Sequence, residues 1–107
     1  MLQYAIIDRK GVCAIVDSIR EADRMCRKKH GQKVRMETGR PFIIVENGTH
    51  YKNQYWTFEM GAEAELKNIA KRNPSGTFSR FNKEYTKGKN HWTIEDTRKV
   101  RKRGIFS

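Results

Sequence analysis

What this sequence lacks narrows it more than what it carries. Only two cysteines, Cys13 and Cys26, occur in 107 residues. Neither stands in a Cys-x-x-Cys pair, which excludes a disulfide scaffold and a dithiol redox centre. The start, Met1-Leu2-Gln3-Tyr4-Ala5, has neither a basic stretch nor a long apolar run. No secretory signal is readable there, so a reducing, cytoplasmic compartment with both thiols free is expected. No run of about 18 apolar residues exists, which excludes a membrane-spanning helix, and no membrane partner is expected. His30, His50 and His91 stand far apart with no His-x-x-x-His pair. There is no Gly-rich phosphate loop and no nucleophile elbow, so neither a metal nor another cofactor is expected.

Acidic residues are scarce where basic ones are dense. From Lys67 to Ser107 the chain holds twelve Lys and Arg but only Glu84, Glu95 and Asp96. Residues 1–66 hold eleven basic and nine acidic side chains, so the formal charge of +11 divides into +2 and +9. A field this lopsided favours a polyanion, because each phosphate neutralised by Lys or Arg releases condensed counterions. With 36% hydrophobic side chains the length suffices for a single domain over 1–107. It is read as a sheet-plus-helix layer over 1–56 and a basic helical part over 57–107.

Along the chain, Tyr4 to Ile7 and Val12 to Val16 are apolar, β-branched runs around Asp8-Arg9-Lys10-Gly11, the pattern of a β-hairpin. Ser18 and Glu21 form a capping-box pair for a helix whose inner face would be Ile19, Ala22, Met25 and Cys26, with Gly31 as its stop. Its outer face carries Arg20, Arg24, Arg27, Lys28 and Lys29. That row could reach phosphates, or could be a solvated face whose last turn suits the negative end of the helix dipole. Val34 and Met36 alternate with charged residues as in a strand. Phe42-Ile43-Ile44-Val45 followed by Asn47-Gly48 is the strongest hairpin signal, with a return strand over Thr49 to Tyr51. No internal repeat is visible.

Three successive helices are expected next, Thr57 to Arg72, Thr77 to Thr86 and Thr93 to Arg103. Gly61 sits within the first, and Phe78, Phe81 and Tyr85 form an aromatic stripe on the second. The segment from Lys87 to His91 reads as a mobile loop, and Ile105-Phe106 as an apolar pair that packs back. The whole is expected to be an α+β fold, a small mainly antiparallel sheet in a ββαββ-like N-terminal part with a basic helical C-terminal part.

The last helix is the sharpest functional candidate, since five cations within six residues exceed what a helix dipole requires. Arg98, Lys99, Arg101, Lys102 and Arg103 would follow a phosphate ridge, with Lys87, Lys89, Arg80 and Lys83 as a second row. Trp92 and Tyr55 are the aromatics left open for stacking on bases. The expected function is nucleic-acid binding, to DNA or RNA. The competing readings of the same cations are a solvated tail, a nuclear-import signal, and an adaptor or inhibitor docking on an acidic protein. A small metal-independent ribonuclease, using His50, Tyr51, His91, Arg80 and Lys83, is the enzymatic alternative.

Overall fold

Asp8 to Gly11 closes the first hairpin through local hydrogen bonding. The Asp8 carboxylate accepts the Lys10 amide at 2.8 Å, and the pairing of β1 (Tyr4–Asp8) with β2 (Gly11–Val16) runs antiparallel from that turn. The computed structural model describes residues 2–101. Ser18 caps α1 (Ile19–Lys29) by accepting the Glu21 amide. The Glu21 carboxylate instead takes Arg24 at 2.5 Å, so only half of the capping box forms. His30, not Gly31, adopts the left-handed C-cap. Ile19, expected to face inward, is 54% exposed, and Ala22 is the one residue of α1 that is fully buried. The strand β3 (Gln32–Arg35) then returns to the free side of β1.

The second half repeats that wiring. β4 (Phe42–Glu46) and β5 (Thr49–His50) close over Asn47-Gly48, both at positive φ as a type I′ turn requires. After a 3₁₀ turn at Tyr51–Asn53, α2 (Glu59–Arg72) runs back over the sheet. Its Gly61 is no defect, since a Cβ there would lie 2.6 Å from Trp56 Cδ1. A hairpin of β6 (Thr77–Ser79) and β7 (Glu84–Lys87) leads into β8 (Asn90–Asp96). β8 pairs with the free side of β4 just as β3 pairs with β1. The sheets are therefore ordered β2-β1-β3 and β5-β4-β8-β7-β6. Tyr4–Asp8 and Phe42–Glu46, the strands at equivalent places, even share one burial pattern.

Four layers result. α1 packs on the three-stranded sheet, and that sheet meets the five-stranded one through Ala5, Ile7, Val12, Val34, Ile43 and Val45. On the far side Ala62, Leu66 and Ile69 of α2 bury Ile44, Tyr85, Trp92 and Ile94. The class is α+β with antiparallel sheets, but the expected ββαββ layer is divided between two sheets.

The basic C-terminal helices do not form within the described residues. Thr77 to Thr86 is a hairpin in which Phe78 faces Tyr85 across strands, ring centroids 4.7 Å apart. A spacing that mimics a helical stripe is here a cross-strand pair. Residues 93–96 continue β8, where Trp92 and Ile94 face α2 while Thr93 and Glu95 face the other way. Flanked by β4 and β7, this strand gains backbone partners on both sides that outweigh local helix signals. Lys87 to His91 is a tight turn, Lys87 pairing with Asn90. Lys102, Arg103 and the Ile105-Phe106 pair lie outside the described residues.

Candidate nucleic-acid interface

The alternation of β8 carries Glu95 to the face that meets the other sheet, where it is only 4% exposed. A carboxylate so deep requires partners. It accepts the Thr93 hydroxyl at 2.6 Å and Arg80 Nη1 at 3.3 Å, with Arg101 Nη1 at 3.7 Å. Arg80 also donates to Thr93 Oγ1 at 3.1 Å and to the Ile94 carbonyl at 2.7 Å. Arg101 reaches Glu84 at 3.2 Å, and Glu84 accepts His91 Nε2 at 2.6 Å. Burial pushes the Glu84 carboxyl up, but the His91 hydrogen bond and the charges of His91 and Arg101 outweigh it and leave Glu84 below the usual carboxylate range.

Several expected phosphate ligands are thereby committed to carboxylates. Besides Arg80 and Arg101, Lys83 is held by Glu59. Arg98 grips Asp96 through two bonds of 3.0 and 2.8 Å. Burial raises Asp96, and the Arg98 hydrogen bonds together with the Lys99 charge more than reverse this. Lys87 donates to the Pro74 carbonyl. Lys89 and Lys99 are exposed and make no ion pair among the described residues. The acids that looked too few in the sequence are placed where each meets an arginine or lysine.

The structure collects a partly different set of cations, in which Lys89 and Arg101 recur. Arg9, at the tip of the β1–β2 turn, donates to Asn47 Oδ1 at 3.3 Å and to the Lys89 carbonyl at 2.5 Å. The Asn47 side chain in turn bonds Asn90 and the His91 amide. Three hairpin tips thus converge on one end, bringing Arg9, Lys10 and Lys89 together. Arg101 fastens this end to the next element: its amide bonds the Val12 carbonyl at 2.9 Å and its guanidinium the Lys10 carbonyl. There it lines a cleft of about 440 Å³ with Lys28, Lys29 and His30 from the end of α1. Asp8 is the single acidic residue in that lining. Sequence reasoning weighed Lys28 and Lys29 as a helix face and passed over Arg9 and Lys10. Only the Gly11 and Asn47-Gly48 turns hinted that tips would exist to carry them.

The aromatics are redistributed as well. Trp92, a stacking candidate from sequence, is 4% exposed, and its indole N–H donates to Glu46 at 2.7 Å. Base stacking there is corrected to a core role. Tyr55 is half-buried, its hydroxyl donating to the Arg35 carbonyl at 2.6 Å, with Arg40 over its ring.

The groups proposed for ribonuclease chemistry are not assembled into one site. His50 on β5 and His91 on β8 are separated by β4, roughly 10 Å across two strand spacings. His50 Nε2 donates to the Gln54 carbonyl at 2.8 Å, and burial holds its ring below the usual histidine range against that bond. Burial, with the Glu65 hydrogen bond, pushes Tyr51 up to about 12. Among the described residues no group of three or more His, Cys, Asp or Glu side chains could hold a metal ion, and no helix is long and apolar enough to cross a membrane. In comparisons with protein-family models, curated proteins and solved structures, no match to the chain was found.

Proposed function

We propose that the protein binds nucleic acid through its phosphate backbone, using the end where the hairpin tips and the close of α1 meet rather than a C-terminal helix. The observation that carries this reading is the gathering of Arg9, Lys10, Lys28, Lys29 and Lys89 from separate elements, with Arg101 between them. None of the five makes a salt bridge among the described residues. Such cations are available to replace counterions along a polyanion, whereas those tied to buried carboxylates are not. Lys102 and Arg103 follow Arg101 in the sequence. Lys99, which makes no ion pair among the described residues, supplies a further charge beside Arg98.

The test is fluorescence anisotropy with labelled single- and double-stranded DNA and RNA between about 50 and about 200 mM salt. Wild-type affinity is expected to fall steeply with salt for every polymer it binds. Reversing Lys28→Glu and Lys29→Glu together should weaken all sequences alike and flatten the salt slope by roughly 2. Reversing Lys67→Glu and Lys71→Glu, exposed on α2, should change it far less. A wild-type protein that ignores every polynucleotide at low salt refutes the proposal.

A further inference from the structure

At the tip of the β6–β7 hairpin Phe81 is 94% exposed, the highest value of any large apolar side chain described. Its backbone is as unusual as its exposure. Arg80, Phe81 and Asn82 are three successive residues at φ of +53°, +55° and +65°. Asparagine tolerates this region, but a bulky aromatic residue does so at a cost that glycine would avoid.

The loop keeps that conformation because both of its shoulders are fastened. Arg80 is bound to Thr93, Glu95 and the Ile94 carbonyl. Lys83 is bound through its side chain to Glu59 and through its carbonyl to the Ile94 amide at 2.9 Å. The tip is thus rigidly presented while its aromatic ring has no place in the core. Strain held by its surroundings at an exposed position marks a contact point rather than a packing solution.

The surroundings indicate what meets the ring. Glu59, the partner of Lys83, lies between Phe58 and Met60, which are 73% and 78% exposed. Arg80 and Glu59 also border a cleft of about 570 Å³ whose other walls include Glu95, Asp96, Arg98, Lys99 and Arg101. Its carboxylates hold Arg80, Arg98 and Arg101, and Lys99 is left with no ion pair among the described residues. An exposed ring near a cation with no carboxylate partner among the described residues complements an occupant with a flat apolar face on an anionic backbone. An unpaired nucleobase in a single strand has both properties, and a base inside a duplex offers no free face. An apolar protein segment would leave Lys99 unanswered.

We infer that Phe81 is a stacking platform for an unpaired base, with the adjoining phosphate directed toward Lys99. The inference rests on the nucleic-acid reading above and narrows it to single strands. Arg101 lines both this cleft and the one at the hairpin-tip end, so one strand can follow the two in turn.

The experiment compares a labelled single strand of about 12 nucleotides with its duplex, using wild type, Phe81→Ala and Phe81→Trp. Phe81→Ala is expected to weaken single-strand binding by about 5- to 150-fold, the ~1–3 kcal/mol of one stacked base. Duplex binding and the salt slope should stay as they are. Phe81→Trp should restore affinity, and its added emission should be quenched by the single strand. Thermal melting of each variant confirms that the fold is retained. If wild type binds with a salt slope but Phe81→Ala loses nothing, or loses single strand and duplex equally, stacking is overturned while phosphate binding stands. If wild type binds no polynucleotide, both fall. A concentration-dependent dimer in sedimentation that Phe81→Ala abolishes would make a second copy the occupant and likewise overturn stacking.

Discussion

The carboxylate of Glu95 occupies the space that a side chain on Gly11 would need, since a Cβ built on Gly11 would stand 2.5 Å from Glu95 Oε1. The two sheets therefore touch in two chemical styles. Near Ile43 and Val45 the contact is apolar, and near Gly11 it is an ionic cluster closed over by Arg80 and Arg101.

Gly11→Ala should be costly for two reasons that add. Its φ of +115° lies where side chains are strained, and the new methyl would displace a bonded carboxylate. A loss of about 3 kcal/mol is expected, read as a lower urea midpoint with unchanged slope.

Glu95→Ala should cost about 3 kcal/mol, because it strands Thr93 and two guanidiniums beside a low-dielectric interface. Glu95→Gln, which keeps the shape and an acceptor but loses the charge, should fall between that variant and wild type in the same denaturation assay.

Acid should destabilise the fold in two stages. His50 is held below its ordinary value by burial, so its contribution is complete above the unfolded value of about 6.5 and is lost as pH falls through the lower folded one. The carboxyls of Glu65, Glu84 and Asp96 are also depressed, Glu65 chiefly by the Tyr51 hydroxyl. The folded state binds fewer protons there, so a second loss begins near the ordinary carboxylate values of about 4 and runs downward. Urea midpoints from about pH 8 to about pH 3 measure both stages. His50→Gln should remove the first and leave the second, and an unchanged first stage would assign it elsewhere.

Phe81→Gly should stabilise the protein by about 1 kcal/mol, since glycine adopts positive φ without penalty and no packing is lost at an exposed site. The same variant should bind single strands less well. Stability gained together with affinity lost would be the signature of strain kept for contact.

Elements governed by near neighbours were readable in the sequence. The first hairpin, α1 and the Asn47-Gly48 turn follow from caps, turn residues and periodicity within a dozen positions, whereas α2 follows from periodicity alone, beginning at Glu59 rather than Thr57 and with no side-chain cap bond. The strands from Thr77 onward were not, because β8 owes its conformation to β4, some fifty residues earlier, and the three-four spacing of Phe78, Phe81 and Tyr85 imitates a helix. The charge was legible but its placement was not. Which cations remain unpaired depends on strand alternation, which turns Glu95 toward Arg80, and on turns that meet only after folding, as Arg9 meets Lys89.

Laying down one wiring twice makes this polypeptide a tethered pair of half-molecules. The tether, residues 37–41, contains Gly39, where, its chain neighbours aside, no described residue comes within 4 Å of a Cβ position. A single scission at that glycine would divide the chain between the two wirings, with a hairpin and a helix segment on either side of the cut. Their shared apolar seam, with the Arg101 amide on Val12, would be left to draw them together again as two strangers with a common past.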